Sequence, residues 1–472
     1  MAQRPPNIIL ILIDDMGWRD IGCYGSGFYD TPNLDTLAEE GMRFTDAYAS
    51  CPVCSPTRAS ILTGKYPARL GLTNFLCGSA RGRLLEAPYI DHLSQQHRCI
   101  AKSLRAGGYQ TWHVGKWHLG PEPFWPTEHG FDVNVGGCSW GMPKHGYFSP
   151  YRCPTLSDGP DGQYLTDRLT DEAIALIRKA GDKPFFLNLC HYAVHTPIQA
   201  KADDVGHFAD KARRLGLDRV QPLEEGEAFP CEHKKHLRVI RRRIQSDPAY
   251  AAMVWNLDWN IGRLLSAVSD TGLSDNTIVI FTSDNGGLAT AEGSPTSNAP
   301  LAEGKGWMYE GGTREPLLIK WPGRVAPGSV CHEAVTSTDF YPTLLEMAGL
   351  PLEPENHVDG VSMVPLLCGA KSLDRQAIFW HYPHYGNQGG TPGSSVRCGD
   401  WKLIEFFEDG RLELYDLRND IGESHNLAAV EPTRVKQLHD ILADWRRKCQ
   451  AAIPQPNPQY TPWPGRWDAP TV

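Results

Sequence analysis

Four stretches carry residues that could do chemistry together, and each follows an apolar run. NIILILI (Asn7 to Ile13) ends in Asp14-Asp15, and TIVIFTS (Thr277 to Ser283) ends in Asp284-Asn285. YQTWHVG (Tyr109 to Gly115) leads into GKWHLG, which presents Lys116 and His118. PFFLNLCHY (Pro184 to Tyr192) leads to His195 in HYAVHTP. Three aspartates and an asparagine amide form an oxygen-rich set, which suits Ca²⁺ or Mg²⁺ better than zinc. Either acidic pair alone reads equally well as turn residues closing a strand. Two such pairs after two buried runs weaken that reading.

A fifth stretch, CPVCSPTRASILTG (Cys51 to Gly64), poses a separate question. Pro56 suits the first turn of a helix that runs to Gly64, so Cys54 falls at a helix N-terminus, where backbone N–H groups and the dipole favour anions. Arg58, four residues on, can share that face. A redox pair would need a compact thioredoxin-like setting, and a zinc site would need a second Cys or His pair at metal spacing; neither is offered. A nucleophile, an arginine and a helix start instead make a cradle for an anionic group in transfer.

These groups need a frame. The apolar runs are rich in branched residues and bounded by turns, as strands buried on both faces of a parallel sheet are. Helical stretches separate them: Asn33 to Gly41, an amphipathic Asp167 to Ala180, and Pro248 to Val268. Alternation of this kind predicts an α/β domain with a large, mostly parallel sheet between helices, spanning residues 1–370. In such sheets ligands bind at the carboxyl ends of the strands, where the polar groups above would share one rim. AIFWHY, SVRCGDWKLIEFF and LELYDL then read as short antiparallel strands, followed by a helix from Pro432 to Lys448. They predict a smaller α+β domain over residues 371–472, with a Pro-rich tail lying irregularly on the surface. The basic run HKKHLRVIRRR (His233 to Arg243) reads as the solvated face of a helix in an insertion.

The 472 residues are 41% hydrophobic and include 14 Trp, which supports a large core. A net charge of −9 argues against a broad polyanion-binding face, so nucleic acid is not expected as a partner, and no apolar run approaches transmembrane length, so neither is a membrane. Thirteen scattered cysteines, an odd number, fit reduced thiols. The apolar run near the start is too short for a signal peptide and ends in two aspartates. The expected location is cytoplasmic, or secreted or periplasmic had a leader been removed.

The motifs taken in order resemble one family. CSPTR followed by ASILTG resembles the signature of type I sulfatases, members of the alkaline phosphatase superfamily, and NIILILIDDMG, GKWHLG, HTP, TSDNGG, EGKGWMYEGGTREP, GDWKLI and LYDLRND extend the likeness along nearly the whole chain. Thr57 stands where serine is usual and keeps the hydroxyl. The resemblance implies an arylsulfatase-like hydrolase of sulfuric esters in which a maturation enzyme oxidises Cys54 to formylglycine. By the same resemblance Asp14, Asp15, Asp284 and Asn285 hold the cation, usually calcium, which Cys54 also touches once modified. Arg58 and His118 orient the aldehyde hydrate, Lys116 and Lys305 neutralise the sulfate oxygens, and His195 protonates the leaving oxygen. One hydroxyl of the hydrate attacks sulfur; the other, once deprotonated, collapses to the aldehyde and expels sulfate. A cation, two lysines and an arginine aimed at the developing charge are what such a reaction needs. Ser139 in GGCSWG is a further candidate for the sulfate.

A phosphonate monoester or phosphodiester hydrolase of the same fold is the nearest alternative, and a non-catalytic binder of sulfated glycans a more distant one. Specificity is expected in rim loops. These are PFWPTEHGF (Pro123 to Phe131), SWGMPKHGYFSPY (Ser139 to Tyr151) and WHYPHYGNQGG (Trp380 to Gly390), with Trp140 and His145 as candidate substrate contacts. Aromatic residues there suit a sugar or an aryl ring. Small hexosamine or galactose sulfates cleaved in exo fashion are the leading substrate class, followed by aryl or steroid sulfates. Oligomeric state is not legible in the sequence.

Overall fold

The computed structural model describes residues 4–469. Eleven strands precede the small sheet: β1 (Asn7–Ile13), β2 (Met42–Tyr48), β3 (Gln110–Gly115), β4 (Val133–Val135), β5 (Phe185–Cys190), β6 (Leu223–Ala228), β7 (Arg238–Arg242), β8 (Thr277–Ser283), β9 (Arg314–Lys320), β10 (Ser329–Cys331) and β11 (Val335–Thr336). Nine of them form one sheet in the order β10-β2-β9-β8-β1-β5-β3-β4, with β11 beside β2. Five neighbours, β8-β1-β5-β3-β4, run parallel; β9 runs antiparallel to both β8 and β2.

β1 explains the centre of the sheet. All seven of its residues are buried. Ile9, Ile11 and Ile13 face a core shared with the helices Leu165–Arg178 and Pro248–Asp270. Ile8, Leu10 and Leu12 face a second core shared with the helices Cys54–Thr63 and Phe340–Met347. Branched side chains on both faces, with no polar alternation, leave this strand stable only between two helical layers.

The register sets the site. Ile13 lies opposite Ser283 in β8, and Leu12 opposite Cys190 in β5, which in turn lies opposite Gly115 in β3. Asp14, Asp284 and Lys116 therefore leave the sheet at one level of its carboxyl rim. Gly115 has φ +100°, and a Cβ there would lie 1.9 Å from the Cys190 carbonyl oxygen, so only glycine lets the chain turn toward Lys116.

The small sheet contains β12 (Ile378–Tyr382), β13 (Gly393–Cys398), β14 (Trp401–Phe406) and β15 (Leu412–Asp416), antiparallel in that order, with the helix Pro432–Cys449 against it. A buried charge cluster joins it to the large sheet. Lys402 Nζ in β14 donates to Glu310 Oε1 at 2.9 Å and lies 3.0 Å from Glu423 Oε1. Glu310 also pairs with Arg314 at 2.8 Å and accepts from the Tyr48 hydroxyl at 2.7 Å.

Two expectations are corrected. The basic run from His233 is not a helix: it supplies β7, which pairs antiparallel with the acidic strand β6. Val239 is buried beside Trp307 and Tyr385, while Arg243 and Arg241 reach Glu224 at 2.6 Å and Glu227 at 2.8 Å across the hairpin. The charges belong to cross-strand pairs, which a reading of the run alone could not supply. Nor does the tail merely drape over the surface. Leu85 N donates to the Gln455 carbonyl at 2.7 Å, Trp463 is buried, and Arg466 reaches Glu408 at 2.8 Å.

Candidate active site

Each carboxylate at the rim accepts from one cation, and Arg58 also lies 3.9 Å from Asp14 Oδ1. Lys116 Nζ donates to Asp14 Oδ2 at 2.6 Å, Lys305 Nζ to Asp15 Oδ2 at 2.8 Å, and Arg58 Nε to Asp284 Oδ2 at 2.8 Å. Asn285 Nδ2 donates to Asp15 Oδ1 at 2.8 Å, and the Asp15 amide to Asp284 Oδ1 at 3.3 Å. All of these side chains are buried. Asp15 and His118 adopt left-handed backbone at φ 63° and 55°, a conformation that non-glycine residues tolerate only where the surroundings enforce it.

Cys54 opens its helix as the first helical residue, after Val53 at φ −140°, and Gly64 closes it. Thr57 donates its hydroxyl back to the Cys51 and Val53 carbonyls at 3.0 and 3.2 Å. This holds the first turn, and Arg58, on the next residue, extends to Asp284 and to the Lys116 carbonyl at 3.1 Å. Cys54 Sγ lies 3.3 Å from His118 Nδ1. His195 Nε2 lies 3.0 Å from Lys305 Nζ and 3.6 Å from Asp15 Oδ2, and its Nδ1 lies 2.9 Å from the Thr196 carbonyl oxygen.

Burial governs the titration of the cluster. It raises the Asp14 carboxyl well above the usual range, with Asp284 and Asp15 adding to the effect and Lys116 opposing it. Burial would raise Asp15 too, but His195, Lys305 and Lys116 together hold it far below. The Cys54 thiol is pushed up by burial against the pull of Lys116 and Lys305, so it stays protonated. Burial lowers His195 to about 3, with Lys305 and Lys116 acting in the same direction and Asp15 opposing. His118 is pushed down by burial and then by Lys116 and Arg58. Both imidazoles are thus biased toward the neutral form.

The sulfatase family profile matches residues 6–350, and the profile for the C-terminal part of N-sulphoglucosamine sulphohydrolase matches residues 303–448. The chain belongs to the sulfatase family. It is 34% identical to human arylsulfatase A, over 90% of this chain and 84% of that one. It is 33% identical to human N-acetylgalactosamine-6-sulfatase, over 80% of this chain and 69% of the other. The crystal structure of Ps i-CgsB in complex with k-i-k-neocarrahexaose superposes with a TM-score of 0.76 at 29% identity, covering 94% of this chain and 93% of that one.

This sulfatase is accordingly a sulfuric ester hydrolase whose family membership brings formylglycine-dependent catalysis with a metal ion, and the phosphonate alternative is not favoured. The residues fit a cation. Asp14 Oδ1 and Asn285 Oδ1 are buried with no hydrogen-bond partner among the described residues, an arrangement that a hard cation would satisfy. The tightest acidic grouping by distance is Asp14, Asp15 and His195. The oxygen set of Asp14, Asp15, Asp284 and Asn285 is the better candidate chemically, because a hard cation prefers oxygen donors to an imidazole nitrogen. No helix among the described residues is long and apolar enough to cross a membrane.

The structure brings Asp14, Asp15, Arg58, Lys116, His195, Asp284, Asn285 and Lys305 into one linked network, beside which Cys54 and His118 pair with each other. Ser139, Trp140 and His145 are not part of it. They lie on the adjoining loop, whose Cys138 carbonyl accepts from His118 N at 3.0 Å. A Cβ on Gly141 would come 2.5 Å from the His118 ring, which places this loop directly against the site. Lys144 and the exposed His145 flank the Trp140 ring at 5.4 and 5.9 Å.

Sequence reasoning missed the groups behind the network. Asp20 is buried and accepts from Tyr250, Thr296, Gln245 and the Gly17 amide. Asn298 bridges two loops. Neither sits at a motif position or a strand end, so only the folded loops reveal them.

Proposed function

We propose that the chain is a calcium-dependent sulfatase acting on monosulfated sugars, with hexosamine or galactose sulfates as the leading class and aryl or steroid sulfates next. The observation that carries the catalytic reading is the closed pairing of three cations with three carboxylates around a neutral, buried Cys54. A buried thiol held protonated is a poor nucleophile, which supports its conversion to formylglycine. Asp14, Asp15, Asp284 and Asn285 would hold the cation, which when bound neutralises charge on the sulfate.

The remaining chemistry falls to the chain's own residues. Lys116 and Lys305, each shared with a carboxylate, would turn part of their donor capacity to the sulfate oxygens if those carboxylates held a divalent cation. The pocket is then net positive and matched to an anionic ester. Arg58 fixes the helix start against Asp284. His118 Nδ1, beside the residue 54 side chain, accepts or returns a proton there. His195 Nδ1 faces the Thr196 carbonyl and its Nε2 faces the Lys305 ammonium, so the proton for the leaving oxygen would come from Lys305 and pass through His195 Nε2. Trp140, flanked by Lys144 and His145, offers a flat face for a ring at the rim.

The substrate class rests on the named relatives and on that rim. The test is sulfate release from an aryl sulfate and from 6-sulfated N-acetylgalactosamine, beside the matching aryl phosphate. The protein is made with a formylglycine-generating enzyme, and Cys54→Ala serves as control. Turnover of both sulfates, lost in the variant and after chelation, is the expected result. Aldehyde-bearing protein that releases phosphate and no sulfate would overturn the proposal, and efficient cleavage within long sulfated polymers would overturn its exo character.

A further inference from the structure

The segment joining Asn285 to Lys305 doubles back on itself, and Asn298 occupies the inside of the bend. Its Nδ2 donates to the Gly287 carbonyl and to the Glu303 carbonyl, both at 2.9 Å. Its Oδ1 is buried with no partner among the described residues. Three glycines close around this amide. A Cβ on Gly17 would lie 2.3 Å from Asn298 Oδ1, one on Gly287 2.7 Å from the same atom, and one on Gly304 2.7 Å from Nδ2.

The three contacts are not scattered. Gly17 follows Asp15 by two residues, Gly287 follows Asn285 by two, and Gly304 directly precedes Lys305. These loops lie beyond the sheet ladder, so no strand pairing fixes them relative to one another. The cross-links that exist converge on the same place. Lys305 N donates to the Gly287 carbonyl at 3.2 Å, and Asp20 ties the Gly17 amide, at 2.9 Å, to the Thr296 hydroxyl, at 2.7 Å.

We infer that Asn298 is a positioning residue that sets the mutual placement of Asp15, Asn285 and Lys305, and through them both cation affinity and sulfate contact. The inference rests on the proposed roles of those three residues. An asparagine suits the place because its two N–H groups satisfy two carbonyls at once, while its volume fills the space that three glycines leave. Groups behind a metal site orient its ligands, and their loss commonly lowers metal affinity or activity about 10- to 100-fold.

The test uses the full chain bearing the aldehyde, with calcium binding followed by calorimetry and turnover measured at saturating calcium. Asn298→Asp keeps the shape and replaces the donor with an acceptor facing two carbonyls. Asn298→Ala removes the filling. Gly17→Ala leaves Asn298 intact and presses on it from the opposite side, which serves if the first two fold poorly. Ser297→Ala, a neighbour on the same loop, is the control. The expected result is a calcium affinity and a kcat/KM about 10- to 100-fold lower in the Asn298 and Gly17 variants, with the control unchanged. Parent-like calcium affinity and kcat/KM in these variants, whatever their melting temperatures, would overturn the inference, as would an equal loss in Ser297→Ala. A parent that binds no calcium would instead overturn the proposed cation site, and Asn298 would then stand or fall on kcat/KM alone.

Discussion

Replacing Lys402 with methionine probes the buried charge cluster between the two sheets. The ammonium is fully buried between Glu310 and Glu423, at 2.9 and 3.0 Å. Removing one partner of such a cluster costs about 3–5 kcal/mol, because the charges left behind stay desolvated. Two features put this case at the low end. Glu310 keeps Arg314 and Tyr48. Glu423, already pushed up to about 7 by burial, with Glu310 adding and Lys402 opposing, can take up a proton and leave no charge. About 3 kcal/mol at pH 7 is therefore expected. With an unfolding entropy near 2.1 cal/mol/K per residue, roughly 1 kcal/mol/K for the whole chain, that is a fall in Tm of about 3 °C. The penalty has a pH signature. A carboxyl whose folded pKa lies above its unfolded one favours folding at low pH, and that contribution is lost as pH rises through the folded value. Without Lys402 the Glu423 value moves higher still, so the variant's deficit should grow from pH 7 to pH 9, by up to about 1.4 kcal/mol per unit. Urea unfolding at several pH values measures this, and Lys402→Met with Glu423→Gln should recover part of the loss. A pH-independent deficit, or a double variant no better than the single, would refute the reasoning.

His191 is buried, and neither ring nitrogen has a partner among the described residues; burial lowers it to about 4. Its folded pKa lies below the unfolded one, so its contribution is complete above the ordinary histidine range and is lost as pH falls toward 4. His191→Leu should remove up to about 1.4 kcal/mol per pH unit from the acid slope of stability between pH 6.5 and 4. An unchanged slope in urea melts would show that the imidazole is not held neutral. At Thr57 the hydroxyl is what matters. Thr57→Ser should match the parent in melting temperature and in aldehyde content by mass, whereas Thr57→Val should lose about 1–2 kcal/mol through the Cys51 and Val53 carbonyls.

The parallel core was legible because its signal is local. NIILILI and TIVIFTS can hardly be anything but doubly covered strands, and their register then fixes where Asp14 and Asp284 emerge. The candidate site residues could be named for the same reason: they sit at strand ends or in short motifs. The hairpin at Val239 was misread because its identity depends on Glu224 and Glu227, which lie in the preceding strand. Asn298 left no trace in the sequence, and Lys402, though it stands in GDWKLI, gave no sign there of its carboxylate partners. One acts through three glycine backbones brought together from residues 17, 287 and 304, and the other through carboxylates 92 residues before it and 21 residues after it. Side chains that work by long-range convergence carry no local pattern for a reader to find.

In the finished fold Cys54, Thr57 and Arg58 are at most 3% exposed, and their helix lies beneath the sheet. Under the proposed maturation, an enzyme that oxidises this thiol would have to reach it before the sheet closes. β1 cannot be completed until β8 has been made, some 225 residues after Arg58. At about 5–20 residues per second, that leaves on the order of ten to fifty seconds of synthesis in which the segment is still accessible. Under that maturation the active fraction of this protein would be set by a race between two rates rather than by any equilibrium. A substitution that hastens closure of the sheet would yield a sounder molecule and fewer working ones.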